Sequence, residues 1–227
     1  MKKQKHHSEI FKINGVGVDL KNFYPVKTEE EKIKLRKNYG FKQSDFILIY
    51  TAEFIPRKNH KLLFDILPDL KNQILELKVV LCGKGELLEY YKSFICKNRM
   101  DYVTFTGYTK KVADYCRISD VLVMPSFQEG LPMGMIEAIA TGLPVVASNI
   151  RGHNDVIEDG VNGFLLDVHE EKKFEDAIIK IYNNSLLRRH MGECNIEKAK
   201  IYSVDVALKQ MQSIYNELIE DNWNTKE

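Results

Sequence analysis

Five times along the chain a short apolar run is followed by an amphipathic helical pattern, and this alternation constrains the fold more than any other feature. "DFILIYTAEF" (45–54) precedes "PRKNHKLLFDILPDLKN", where Leu62, Leu63, Ile66 and Leu67 recur at helical spacing. "LKVVLCG" precedes "ELLEYYKSFICKN", "YVTFTG" precedes "KKVADYCRIS", "DVLVMPS" precedes "PMGMIEAIATG", and "LPVVAS" precedes a short helical piece near "GHNDVIED". Strands that are apolar on both faces and separated by helices predict a parallel sheet covered on both sides. The expected fold class is α/β: a single Rossmann-like, doubly wound parallel sheet with a helical C-terminal tail. Val206, Leu208, Met211, Ile214, Tyr215 and Leu218 mark that tail as one long helix. The expected organisation is a linker over 1–20, the domain over 21–202 and the terminal helix over 203–227.

Lysine plus arginine (33) nearly cancels aspartate plus glutamate (32), so no global field draws the chain to nucleic acid, and any basic site is local. Cys82, Cys96, Cys116 and Cys194 form no C-x-x-C pair and are read as structural thiols of a reducing compartment. No apolar run approaches the ~18 residues of a membrane helix, and the basic start lacks a signal-peptide core. A cytoplasmic protein is expected.

In open sheets of this kind ligands bind outside the carboxyl ends of the strands. In "TAEFIPRKNH", Arg57, Lys58 and Asn59 are predicted at a helix start, where cations beside free N–H groups suit a phosphate; the alternative is solvated cations. "LCGKGELL" offers Gly83 and Gly85 for close backbone approach, or only a strand-to-helix turn. As a dinucleotide fingerprint it fails, because Leu88 stands at the third glycine position. In "YVTFTGY", Gly107 permits a turn and Tyr108 either covers an aromatic base or sits at a solvent edge.

The fourth strand end, "SFQEGLPMGMIEAIATG" (126–142), sets Glu129 and Glu137 with seven residues between them. Pro132 suits the first helical position and Gly142 the residue past the end, so a helix is predicted from about Pro132 to Thr141. Were it continuous through both acids, they would lie about 80° apart and share no proton. The better reading is two hydroxyl acceptors with the 130–133 backbone between them facing an anion, against one loop acid and one ordinary helix acid. Glu137 sits among Met135, Ile136, Ala138, Ile139 and Ala140, too apolar a setting for a freely exposed residue.

Here the chain resembles the C-terminal, donor-binding domain of the group-1 family of retaining glycosyltransferases with the GT-B fold, of the exopolysaccharide or capsular polysaccharide type. The resemblance runs from about Gly15 to the end and is most specific in "MPSFQEGLPMGMIEAIATGLPVVASNIRGHNDVIEDGVNGFLL", with the family's Glu, seven residues, Glu signature. It implies that Glu129 contacts donor sugar hydroxyls, Glu137 the ribose, and Lys58 the diphosphate leaving group with Arg57 and Asn59 beside it. The backbone of Gly130, Leu131, Pro132 and Met133 falls where the family meets sugar and distal phosphate, and Gly83, Gly107 and Tyr108 near the base. The implied catalytic pair is Glu129 and Lys58.

The implied reaction is sugar transfer from a nucleotide-diphosphate donor, expected to be a UDP-sugar, to an acceptor hydroxyl with retention, with no metal and no other cofactor. Many relatives carry arginine where this chain has Glu53; a subgroup resembling exopolysaccharide transferases carries glutamate followed by Lys–Asn, as here. The family's full enzyme has a second, acceptor-binding N-terminal domain, so this chain is expected to be the donor-binding half, dependent on a missing or separate partner. An apolar stripe at Tyr215, Leu218 and Trp223 would face that domain or a second copy, and the full enzyme would meet the inner face of the membrane. Two rival readings are a non-catalytic nucleotide-sugar-binding fragment and a nucleotide-sugar 2-epimerase-like enzyme.

Overall fold

The structure is a computed structural model that describes residues 10–224, with side chains described through residue 219. Residues 1–9 and 225–227, and the side chain of Trp223, lie outside the described residues. Five strands carry the apolar runs read above, β1 (Phe46–Thr51), β2 (Leu77–Cys82), β3 (Val103–Gly107), β4 (Val121–Met124) and β5 (Val145–Ser148), and a sixth, β6 (Gly163–Leu166), follows them. They form one sheet in the order β3-β2-β1-β4-β5-β6, every pair parallel. Ile47, Leu48, Ile49 and Tyr50 are fully buried, as a central strand covered on both faces requires.

Helices α1 (Glu29–Asn38), α2 (His60–Gln73), α3 (Leu88–Lys97), α4 (Val112–Ile118), α5 (Met133–Ala140), α6 (His153–Val156), α7 (Glu171–Asn183), α8 (Ser185–Ala199) and α9 (Val204–Asn224) complete the fold. Helix α2 packs beside α7, and α5 beside α8 and α4. No helix of the described residues is long and apolar enough to cross a membrane.

α1 is held differently from the others. Its cap is reciprocal: Thr28 Oγ1 accepts from Glu31 N at 3.2 Å while Glu31 Oε2 accepts from Lys27 N at 2.8 Å. Its anchor is charged. Arg36 is buried and donates to the carbonyls of Ile118, Gln43 and Asp45 and, at 2.7 Å, to Asp120 Oδ2. Lys32 Nζ reaches the other Asp120 oxygen at 2.8 Å. Burial pushes the Asp120 carboxyl up, but Lys32 and Arg36 overcome it and hold it below the usual carboxylate range.

The leading segment docks against the start of the terminal helix, with Val18 N donating to Tyr202 O at 2.8 Å and Val204 N to Val18 O at 3.1 Å. α9 leaves much of its described surface in solvent: Leu208, Tyr215 and Ile219 are each more than half exposed.

Candidate functional site

In this strand order the sheet changes direction between β1 and β4, so the loops leaving them diverge and open a crevice at their carboxyl ends. One loop carries Arg57, Lys58 and Asn59, the other Glu129, Gly130, Leu131 and Pro132. Lys58 Nζ lies 2.5 Å from Glu129 Oε1, with the two side chains only 13% and 6% exposed. Ser126 Oγ donates to the same carboxylate oxygen at 2.8 Å. From β1, the Tyr50 hydroxyl donates to the Lys58 carbonyl at 2.6 Å and lies 3.0 Å from Ser126 Oγ. Phe127 N donates to Arg57 O at 2.8 Å and Asn59 Nδ2 to Pro125 O at 3.1 Å. Two loops far apart in sequence are sewn into one unit.

This geometry corrects the expected helix start. Pro56–Lys58 form a single 3-10 turn, Asn59 takes the left-handed conformation with φ 50°, and α2 begins at His60. The amides of Lys58 and Asn59 bond back to Ile55 O and Pro56 O, so neither is a free donor. Asn59 is buried, its side chain committed to the neighbouring loop. The Arg57 side chain is exposed.

α5 begins at Met133, one residue later than expected, with Pro132 as its cap at φ −80° and ψ 80°. The Pro132 carbonyl accepts from the amides of Met135 and Ile136, while among the described residues the amides of Gly130 and Leu131 have no hydrogen-bond partner. Gly142 follows the helix at φ 83°, as its position predicts. The first turn of α5 sits on the end of β1: a Cβ at Gly134 would lie 2.5 Å from Thr51 Oγ1, itself buried and unpartnered.

Glu129 and Glu137 have separate surroundings. Glu137 is half-buried and, among the described residues, has neither hydrogen bond nor ion pair; burial pushes its carboxyl above the usual range. Glu129 also lines a cleft of about 470 Å³ with Phe127, Gln128, Gly130, Leu131, Ile150, Arg151 and Asp155. A second cavity, of about 530 Å³, opens at the amino ends of the strands, where Arg36 and Lys32 are already spent on Asp120.

The glycines after β2 approach protein. A Cβ at Gly83 would come within 1.9 Å of Ala52 O, and one at Gly85 within 2.5 Å of Phe54 O, so both are needed where the loops after β1 and β2 touch. Gly83 N donates to Gly107 O at 3.0 Å, which places the Gly107–Tyr108 turn alongside. Tyr108 is 75% exposed, with Lys84 Nζ 5.6 Å from its ring centroid.

Sequence reading missed four polar residues beneath the site: Tyr50, Ser126, Ser148 and His153. Tyr50 was hidden in an apolar strand, and the only signal was its polar tip. His153 Nδ1 lies 2.8 Å from Ser148 O, so that nitrogen carries the proton and Nε2, buried and unpartnered, is an acceptor. Burial lowers its pKa. Among the described residues no group of three or more His, Cys, Asp or Glu side chains could hold a metal ion.

Comparison with known proteins places this geometry. The profile of the family described as Glycosyl transferases group 1 matches residues 31–198. The chain belongs to the group 1 glycosyltransferases. EpsD of Bacillus subtilis (strain 168) is 34% identical over 206 residues, which cover 90% of this chain and 54% of EpsD. UDP-Gal:alpha-D-GlcNAc-diphosphoundecaprenol alpha-1,3-galactosyltransferase of Escherichia coli is 25% identical over 89% of this chain and 53% of that enzyme. Among solved structures, Anabaena HepE in complex with UDP and glucose superposes with a TM-score of 0.77 at 22% identity, over 90% of this chain and 55% of HepE. This likeness shows the same fold, and this chain spans about half the length of these relatives.

Proposed function

We propose that this chain is the donor-binding half of a retaining, metal-independent glycosyltransferase that moves a sugar from a UDP-sugar to an acceptor hydroxyl in surface polysaccharide assembly. The observation that carries the reading is the buried Lys58–Glu129 pair at the β1/β4 crevice, the position where this sheet topology binds ligands. Lys58 is a cation with one anionic partner and two further N–H groups, which suits it to a diphosphate. As the sugar–phosphate bond breaks and the acceptor oxygen bonds to the anomeric carbon, negative charge grows on the departing diphosphate, whose oxygen takes up the proton the acceptor hydroxyl gives up. Lys58, with Arg57 beside it, would stabilise that charge. The unpartnered amides of Gly130 and Leu131 add donors on the same side, with Pro132 contributing only its carbonyl and Met133 opening the helix.

Glu129 then meets sugar hydroxyls and Glu137, a half-buried acceptor without a partner, meets the ribose. Gly83, Gly107 and Tyr108 lie toward the base. HepE is solved with UDP and glucose, and the Escherichia coli relative is named for a UDP-galactose donor, which favours UDP over other nucleotides. The acceptor-binding part is a second domain or chain, and the exposed face of α9 is proposed to meet it. With a linker over 1–20 and a boundary near 202, both connections to it would run past the Val18–Ser203 bridge.

Calorimetric titration with UDP, UDP-glucose, UDP-N-acetylglucosamine, UDP-galactose and GDP-mannose tests the donor site. One UDP compound should bind at least about tenfold tighter than GDP-mannose, and Lys58→Ala should weaken it about tenfold or more, the scale of a lost charge-assisted contact. Equal millimolar binding of all five would rule the site out.

A further inference from the structure

Three contacts in the floor of the site share two hydroxyl protons. The Lys58 carbonyl can only accept, so its 2.6 Å contact uses the proton of Tyr50. Glu129, ionised against Lys58, can only accept, so its 2.8 Å contact uses the proton of Ser126. The remaining contact, 3.0 Å between Tyr50 and Ser126, is left with two oxygens and no proton. Such a chain has a second arrangement of equal bond number, in which Ser126 turns its proton from Glu129 to Tyr50 while Tyr50 keeps its own on Lys58.

We infer that Tyr50 is a positioning residue of the nucleotide-sugar site: it holds Lys58 and Glu129 in register and lets Glu129 exchange Ser126 for a ligand hydroxyl. The inference rests on the donor-binding reading above. When a sugar hydroxyl donates to Glu129 Oε1, Ser126 would be stranded as a buried donor without partner, a loss comparable to the bond gained. The Tyr50 oxygen removes that loss by accepting. Tyr50 is fully buried, and burial holds its phenol well above the usual range, so the hydroxyl keeps its proton. It touches both loops beneath the ion pair, through the Lys58 carbonyl and through Ser126.

Tyr50→Phe removes the hydroxyl and keeps the ring. Its affinity for UDP-glucose, UDP-N-acetylglucosamine and UDP-galactose is measured beside that for UDP, with amide exchange of Lys58, Asn59 and Phe127 and urea unfolding on the same protein. The expected result is a loss of about tenfold for the bound UDP-sugar and threefold or less for UDP, with faster exchange at the three amides and unchanged exchange in β5. Ser126→Ala should combine with Tyr50→Phe less than additively, because both act through one chain of contacts. Equal losses for UDP and UDP-sugar would mark a merely structural residue and overturn the inference, as would full additivity. If no nucleotide binds the wild-type chain, the donor-site reading fails and the exchange role falls with it. Amide exchange then decides the tether alone, and unchanged protection at 58, 59 and 127 in Tyr50→Phe overturns that too.

Discussion

Glu137 is a carboxylate that the fold leaves short of partners, and this makes its ionisation a load on the folded chain. Its folded pKa is raised by burial, so the protonated form is favoured in the fold and the penalty is present above that pKa and absent below about 4.5, where both states are protonated. Glu137→Gln should therefore have a higher urea midpoint than wild type at pH 8, the gap closing as pH falls toward 4.5. The same change should weaken UDP roughly fivefold to tenfold, because a neutral acceptor replaces a charged one. The thiols sort by the same physics. Burial pushes Cys82 to about 11 and Cys116 up as well, whereas Cys96 is exposed and Cys194 half-buried. A disulfide reagent at pH 8 should label Cys96 and Cys194 in the folded protein and reach the other two only on unfolding. Residue chemistry of this kind was half legible: the apolar neighbours of Glu137 announced its burial, but nothing local announced that Glu129 pairs with Lys58, 71 residues away.

At the scale of elements, apolar runs located five of the six strands and the 3.6-residue period the helices between them and the terminal helix, because burial on both faces leaves a run of apolar residues that no loop reproduces. Elsewhere something other than apolar periodicity fixes the chain. α1 has no apolar stripe and is anchored by a buried guanidinium, and the residues before α2 form a 3-10 turn closed by a left-handed asparagine. The start of α5 offers a test in which two principles oppose each other. Helix propensity alone makes Gly134→Ala stabilising by about 1 kcal/mol. The structure places the new Cβ 2.5 Å from Thr51 Oγ1 and 3.1 Å from Thr51 O, so the first turn must lift off β1. A net loss of about 1–3 kcal/mol in urea unfolding is expected, with weaker UDP binding, since the lifted turn follows directly on the loop whose Gly130 and Leu131 amides are proposed to meet the diphosphate. A more stable variant would show that α5 does not rest on β1 as described.

For the whole molecule, the parallel topology brings Lys58 and Glu129 together, and that topology was readable from strand–helix alternation even though the contact was not. The chain covers about half of the relatives it matches, and α9 carries Leu208, Tyr215 and Ile219 on an exposed face. What holds the fold together also sets its response to acid. His60 is buried against Phe54, its ring 4.2 Å away in a stack, and burial, with Lys58 nearby, lowers its pKa from 6.5 to about 3. The folded state therefore keeps His60 neutral while the unfolded chain binds a proton below 6.5. Its contribution to stability is full above pH 6.5 and is lost as pH falls toward 3, at up to about 1.4 kcal/mol per pH unit. His153 acts with the same sign. Asp120 is shifted in the same direction but in a lower window: its folded pKa lies below 3.8, so its contribution persists until pH falls below about that value. Between pH 6.5 and 4.5 the loss of stability should thus come from buried histidine rather than from the carboxylate clamp. His60→Phe keeps an aromatic ring in the stack and removes the titrating nitrogen, so its urea midpoint should fall less steeply than that of wild type across this window. Parallel curves for the two proteins would show that His60 titrates alike in the folded and unfolded chains.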